Sequence, residues 1–131
     1  MRLIVYSTFT NAAGPRLLGI IGALNGKKPY ECYTTIEALI KRLRQPVGAD
    51  AVAILCPSSN DELNRLLAIR PLLRDVRIIL ILPDGRAKTI SEGHALRPRF
   101  VSYADGDFRD VAAVVQKMAG LDSPAAGGSA W

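Results

Sequence analysis

The sequence predicts an α/β fold, a three-layer α/β/α sandwich around a five-stranded parallel sheet in the order 2-1-3-4-5. Apolar runs of strand length alternate with segments of helical periodicity as far as about residue 120. The run 51–55 is apolar throughout and the run 76–82 is apolar apart from Arg77, which is typical of strands covered by helices on both faces. The chain has 131 residues, of which 49% are hydrophobic, enough for one core without disulfides or metals.

The first strand–helix unit begins with Leu3–Tyr6 as a strand. Pro15 suits the first turn of the helix that follows, and Gly26 suits its C-terminal end. We interpret Gly19 and Gly22 as positions at which this helix lies close to the sheet, because a residue without a side chain allows close approach.

The second unit has a short strand at 30–33. Thr34 and Glu37 predict a capping box in which each side chain satisfies a free backbone donor of the other. The helix is expected to run until Pro46. Its apolar stripe comprises Ile36, Leu39, Ile40 and Leu43.

The third unit has its strand at Ala51–Leu55, followed by Cys56 and Pro57. The stretch from Ser59 to Glu62 predicts a second capping box. The helix that it opens directs Leu63, Leu66 and Leu67 inward and ends near Pro71.

The fourth unit has a strand at 76–82, a tight turn, and a weak helix that we expect Gly93 to end early. The fifth has a strand at 99–103, and Asp107 is expected to cap its helix. The inward residues of the last helix are Phe108, Val111, Val115 and Met118.

These units define one domain, 1–120, and a tail, 121–131, whose small apolar content predicts disorder. No apolar run approaches the roughly 18 residues that a membrane span needs, so we expect a soluble, cytoplasmic protein that does not enter a membrane. Cys32 and Cys56 lack CxxC spacing, and His94 has no second histidine to pair with, so no metal site is expected.

The net charge of +5 and the pI near 9.6 raise the possibility of nucleic-acid binding. The basic residues are spread along the chain, however, and no RNP-like aromatic motif or helix-turn-helix spacing accompanies them. We therefore consider nucleic acid an improbable partner, and a solvated basic surface is the simpler interpretation.

In a sheet of this order, ligands bind beyond the carboxyl ends of strands 1 and 3, where the strand order reverses. We call this edge the switch point. The residues that the sequence places there are Ser7, Thr8, Cys56, Pro57 and Ser58.

The element order and the segments RLIVY, DAVAILC and VRIILIL resemble the response-regulator receiver family, the chemotaxis-regulator type of flavodoxin-like fold. The resemblance covers residues 1 to about 119. It implies a bacterial signalling domain whose fourth helix, fifth strand and fifth helix contact a partner or a second copy of the chain.

The residues that carry phosphorylation in that family are replaced here. The family has an acidic pair after strand 1, a phosphoacceptor aspartate after strand 3, Thr or Ser after strand 4, and Lys-Pro after strand 5. Aspartyl phosphorylation needs a carboxylate nucleophile, a metal and a cation, so we predict a non-catalytic pseudo-receiver without cofactor or metal. The matching positions are Tyr6-Ser7, Cys56, Leu82 or Pro83, and Tyr103-Ala104.

The partner-binding surface that this resemblance implies is basic and includes one aromatic residue. Such a surface suits an acidic protein partner, with homodimerisation or an ordinary solvated surface as alternatives. Its residues are Arg86, Lys88, Arg97, Arg99, Tyr103 and Lys117.

A second hypothesis is a small-ligand or thiol site at the switch point. The segment YSTFTNAAG resembles the flavodoxin phosphate loop, although Asn11 and Ala13 stand where that family has glycine and threonine. An FMN, nucleotide or other anion is the ligand considered, or a redox role for Cys56 activated by the following helix. We favour a buried core thiol for Cys56 and likewise for Cys32. The candidate residues are Ser7, Thr8, Thr10, Asn11, Cys56, Ser58, Ser59 and Tyr103.

Overall fold

The structure of the protein is a computed structural model that describes residues 2–7, 13–25, 30–46 and 51–119. Its strands form one parallel sheet in the order β2-β1-β3-β4-β5, which confirms the predicted flavodoxin-like α/β architecture. The strands are β1 (Arg2–Ser7), β2 (Glu31–Tyr33), β3 (Ala51–Cys56), β4 (Arg77–Leu82) and β5 (Phe100–Tyr103).

Helices connect the strands, as the alternating sequence pattern predicts. The third connection is longer than a single helix, because a 3₁₀ helix with Pro71 in its first turn, Arg70–Leu73, continues the chain beyond Ala68. The α-helices are α1 (Ala13–Asn25), α2 (Ile36–Leu43), α3 (Asn60–Ala68), α4 (Ala87–His94) and α5 (Arg109–Ala119).

The sheet separates two apolar cores. Leu39 of α2 and Leu66 of α3 pack with Leu55 on one face, whereas Leu17 of α1 and Val111 of α5 pack on the other. Every residue of β3 is buried, because this strand has a strand on each side and helices on both faces. Side chains alternate along a strand, so neighbouring residues of β3 contribute to opposite cores.

Two helix starts differ from the prediction. The N-cap of α2 is Thr35, whose hydroxyl accepts a hydrogen bond from the Ala38 amide at 3.1 Å, and not Thr34. Asp107 accepts from the Arg109 amide at 3.0 Å, but it precedes Phe108, whose carbonyl accepts the first helical bond of α5. Capping depends on backbone torsions, so one-residue shifts between adjacent polar residues are not visible in the sequence.

A glycine on α4 packs against the sheet, whereas Gly19 of α1 does not, and Gly22 lies outside the residues whose packing is described. A methyl group at Gly93 would lie 2.8 Å from Leu82 Cδ2 and 3.0 Å from Leu80 Cδ2, whereas Gly19 is exposed and has no atom within 4 Å of that position. The interpretation of Gly19 as a close-packing residue is therefore wrong. Gly93 does not end its helix early, because α4 continues through it to His94.

Several predictions fall on parts of the chain that the structure does not describe. They concern the candidate ligand residues Thr8, Thr10 and Asn11, the helix stop at Gly26 and the tail 121–131. In the described part of the chain, none of the helices combines the length and the apolar content required to cross a membrane.

Candidate functional site

The carboxyl ends of β1 and β3 lie side by side, as the topology predicts. Ser7 pairs with Cys56 in the parallel register, and each side chain is 2% exposed. Cys56 belongs to the core formed with α1 and α5, and alternation places Ser7 on the same face. The two candidate residues thus meet beneath the surface of the switch point.

A carboxylate from α3 occupies the other face of the same edge. The Tyr6 hydroxyl donates to Glu62 Oε1 at 2.9 Å, and the Ser58 amide donates to the same oxygen at 3.3 Å. The Ser58 hydroxyl donates to Glu62 Oε2. Glu62 therefore fastens the first turn of α3 to the end of β1 and to the β3–α3 loop.

This arrangement modifies the predicted capping box. Ser59 is the N-cap of α3 and accepts from the Glu62 amide at 3.3 Å, as predicted. The reciprocal bond is displaced by one residue, because the Glu62 carboxylate accepts from Ser58 instead of Ser59. The sequence identifies the carboxylate as a cap and gives no indication that Tyr6 shares it.

Burial and the bond to Glu62 both raise the pKa of Tyr6 above its usual value. The phenol is therefore a hydrogen-bond donor throughout the physiological pH range. Since its oxygen faces a carboxylate, the bond is charge-assisted and stronger than one between neutral groups.

Burial also raises the pKa of the Cys56 thiol, to about 11, and a hydrogen bond with Ser7 opposes that rise. The negative charge of Glu62 raises it further, and the positive charge of Arg16 lowers it. The net effect is a neutral thiol at physiological pH. Because the thiolate is the reactive form, Cys56 has the properties of a core residue, the interpretation that we favoured from the sequence.

Cys32 differs from its predicted environment. It lies on the edge strand β2 and is exposed, so the expectation that it is a second buried thiol is wrong. Partial desolvation by its neighbours raises its pKa. Edge strands expose alternate side chains to solvent, and the three-residue length of β2 leaves little pattern in the sequence to reveal it.

A cation that the sequence did not single out stands near the switch point. Arg16, in the first turns of α1, donates to the carbonyl oxygens of Gly106 at 2.8 Å and Ala104 at 2.6 Å. Its guanidinium also lies 5.1 Å from the ring centroid of Phe108. It joins the start of α1 to the β5–α5 loop, on the face of the sheet that holds Cys56.

The remaining candidate at this edge lies apart from the others. Tyr103 ends β5 and is 38% exposed. Because β4 lies between β5 and β3, two strand spacings of about 4.8 Å separate Tyr103 from the end of β3. The structure therefore brings Ser7 and Cys56 together on one face, places Ser58 and Ser59 with Glu62 on the other, and leaves Tyr103 outside both groups.

The predicted partner face is divided between the two edges of the sheet. Arg86 is the N-cap of α4 and follows the carboxyl end of β4, whereas Arg97 and Arg99 precede β5 at the amino edge. Lys88 and Lys117 are exposed on α4 and α5. In the ranges that the structure describes, no group of three or more His, Cys, Asp or Glu residues is placed to hold a metal ion.

No protein-family model matches the chain, and no curated protein matches it by sequence. The chain is similar in fold to a crystal structure described as a "Putative pilus assembly-related protein" from Burkholderia pseudomallei K96243. The TM-score is 0.66 and the identity 15%, over 92% of this chain and 90% of that chain. At this identity the similarity demonstrates a shared fold.

Proposed function

We propose that this protein is a non-catalytic pseudo-receiver that acts by binding a protein partner or a second copy of itself. The observation that carries the proposal is the chemistry of the switch point. The positions that would hold the acidic pair and the phosphoacceptor are occupied by Tyr6, Ser7 and Cys56, whose side chains are buried. The βα architecture is retained around them.

The hydrogen bonds at this edge support the proposal. Aspartyl phosphorylation needs a carboxylate nucleophile that reaches a phosphoryl donor. Here β3 ends in a neutral thiol, and Glu62, a carboxylate of α3 at this edge, already accepts bonds from Tyr6 and Ser58. These bonds tie α3 to β1 and to the β3–α3 loop, and both oxygens of the carboxylate accept at least one of them.

The same observations weigh against a thiol function at this edge. Cys56 is buried and neutral at physiological pH, and its hydrogen bond with Ser7 lies within the core. A redox or nucleophilic cysteine needs exposure and a lowered pKa, and Cys56 has neither. The alternative of an anion held by Thr8, Thr10 and Asn11 concerns residues outside the described part of the chain.

The setting that we propose for this module is the assembly of pili. The support is the fold similarity to the Burkholderia protein, whose description connects it with pilus assembly and whose length the match nearly covers. A receiver-like module without phosphoryl chemistry can still bind other proteins through its helix surfaces and hold them in a larger complex. We propose that it does so among proteins of pilus assembly.

Site-specific photocrosslinking in the cells that produce the protein tests the interaction. A photoreactive amino acid is placed at Lys88 or Tyr103 on the predicted face, and at Lys41 on α2 as the control; all three side chains are exposed. We expect a discrete crosslinked species, with a partner or with a second copy, from the first two positions and none from Lys41. The absence of any discrete species, or equal products from all positions, would contradict the proposal.

Incubation with acetyl phosphate and Mg²⁺ tests the second half of the proposal. Intact-mass spectrometry is expected to show no phosphorylated species under conditions in which an ordinary receiver domain is modified. A phosphorylated product that is lost in Glu62→Gln would show that the carboxylate on α3 accepts phosphate, and the protein would then be a working receiver.

A further inference from the structure

Five arginines from two segments, 70–77 and 97–99, converge at the amino edge of β4 and β5, at the opposite end of the sheet from the switch point. They and one carboxylate, Asp75, line two adjoining cavities. The lining therefore carries a net charge of +4, most of the +5 of the whole chain. The arginines are Arg70, Arg74, Arg77, Arg97 and Arg99. We call this surface the arginine groove.

The floor of the arginine groove is apolar. Leu73, Val76, Ile78 and Leu96 contribute side chains that are almost fully buried, and the exposed Pro71 lies beside them. The cavities have volumes of about 340 and 380 Å³. Because ligand pockets span roughly 300 to 1,000 Å³, each cavity is at the small end of the range, suited to one or two side chains.

One arginine of the groove is fixed by a hydrogen bond to the backbone, and three others have guanidinium groups that are available to a ligand. Arg70 donates to the carbonyl oxygen of Ala95 at 3.0 Å, which ties the 3₁₀ helix to the α4–β5 loop. The side chains of Arg74, Arg97 and Arg99 make no hydrogen bond or ion pair with any residue in the described ranges. A guanidinium has five N–H donors in a planar fork, which matches a carboxylate with two bonds.

Arg97 occupies a backbone conformation that favours glycine. Its φ of 55° lies in the left-handed region, where the Cβ atom of a residue with a side chain comes too close to the following carbonyl oxygen. Arginine therefore stands at a position whose backbone conformation glycine would adopt with less strain. Strained residues with this character concentrate at functional sites.

We propose that the arginine groove binds an acidic polypeptide segment that inserts an apolar side chain between the arginines. The proposal rests on the proposed function, because it specifies the partner chemistry of an interaction module. Charge complementarity selects the acidic segment, and the apolar floor selects one with an aliphatic or aromatic anchor.

A nucleic acid fits this groove less well. Its phosphates would pair with the arginines. Proteins that bind single strands tightly also stack aromatic side chains on the bases, and no aromatic residue lines either cavity. The apolar floor would be left without a contact. A peptide uses both the charge and the floor.

The test is fluorescence anisotropy with a labelled synthetic peptide in which glutamates flank two leucines. Removing two cations in Arg70→Gln/Arg74→Gln is expected to weaken binding about tenfold or more. Arg97→Gly is expected to weaken binding without destabilising the fold, because glycine suits its backbone. A peptide with serine in place of leucine is expected to bind about tenfold more weakly.

The control variant is Lys41→Gln/Arg44→Gln, at exposed positions in the last turn and the C-cap of α2, which removes the same charge from another surface. Its affinity for the peptide is expected to stay within about twofold of the native value. No binding of the peptide, equal weakening in the control, or tighter binding of a labelled DNA oligonucleotide would overturn the arginine groove as a peptide site.

These outcomes are distinct from a failure of the proposed function. If a partner crosslinks at Lys88 or Tyr103 and still binds the Arg70→Gln/Arg74→Gln protein with unchanged affinity, the arginine groove is wrong and the interaction module stands. If no discrete crosslink forms while the peptide binds the groove, the predicted face is wrong and the groove stands.

Discussion

The Tyr6 hydroxyl donates a hydrogen bond of 2.9 Å to Glu62, 56 positions further along the chain. The tyrosine is 1% exposed and belongs to the core between the sheet, α2 and α3. The bond therefore connects the central sheet to the start of α3 at the edge where a receiver would carry its phosphorylation site. At this edge of the sheet, the bond stabilises the packing of α3 against β1.

Tyr6→Phe removes the hydroxyl and leaves the ring in place. We expect the free energy of unfolding to fall by about 1–2 kcal/mol, since the bond has a charged acceptor but Glu62 keeps its bonds from Ser58. Urea denaturation measures the change. Tyr33→Phe is the matched control, because its bond to Glu31 lies on the partly exposed edge strand.

A double-mutant cycle with Glu62→Gln isolates the coupling between the two side chains. We expect Tyr6→Phe to cost less in the Glu62→Gln background than in the native protein. Strict additivity would show that the bond contributes nothing to stability.

Gly93→Ala and Gly19→Ala are expected to have opposite effects on the unfolding free energy. A methyl group at Gly93 would press on Leu82 and Leu80, and overpacking of this kind costs about 1–3 kcal/mol, partly offset by better helix propensity. Gly19 is exposed on α1 with open space around it, so alanine should stabilise by about 0.5–1 kcal/mol. Thermal denaturation of both variants measures the difference, and a stabilised Gly93→Ala protein would contradict the close approach of α4 to β4.

The two thiols are expected to react at different rates with an aromatic disulfide reagent. Cys32 is exposed, so it should react in the native protein, and faster as the pH rises. Cys56 is buried with a pKa of about 11, so it should react only on unfolding. Cys32→Ser should therefore abolish the native-state reaction, and a rapid reaction that survives this change would restore Cys56 as a functional thiol.

Stability is expected to fall in alkaline solution. The pKa of Cys56 rises from its ordinary value of 9.0 to about 11 on folding, so above pH 9 the unfolded chain loses a proton that the native protein keeps. The protonated Cys56 thiol therefore makes its full contribution to the free energy of unfolding below pH 9. This contribution is lost between pH 9 and about 11, at up to about 1.4 kcal/mol per pH unit. Tyr6 acts in the same direction, because its pKa is also raised.

Urea denaturation at a series of pH values measures this loss. Cys56→Ala removes the thiol, so its stability should decline less steeply than that of the native protein between pH 9 and about 11. Equal slopes in the two proteins would show that the thiol ionises equally in both states.

The architecture was determined by the sequence alone, and the reason is local. Buried parallel strands are continuous apolar runs and helices repeat every 3.6 residues, so the order of elements along the chain follows from the pattern. The strand order followed once the five units were given the first-strand crossover of flavodoxin-like folds. The position of Ser7 and Cys56 at one edge followed too, because the topology places the ends of β1 and β3 together, whereas their pairing in register is seen only in the structure.

Features that depend on torsions or on burial of a single residue were not determined this way. Thr34 and Thr35 are chemically equivalent as caps, and only the torsions at Thr35 choose between them. Gly19 and Gly93 are equally small, and only the approach of α4 to Leu80 and Leu82 gives one of them a packing role. Cys32 is exposed because it lies on an edge strand, and that strand is too short for its sequence to show which side chains are exposed.

Contacts between distant segments were decided by the tertiary structure alone. The sequence indicates that Glu62 is a helix cap, and only the fold shows that Tyr6 bonds to it. Likewise, only the fold shows that Arg16 of α1 contacts the β5–α5 loop. Arg74 and Arg97 are scattered charges in the sequence and line one groove in the fold. Apolar pattern fixes which face of an element is buried, whereas the partner of a polar side chain depends on the three-dimensional path of the whole chain.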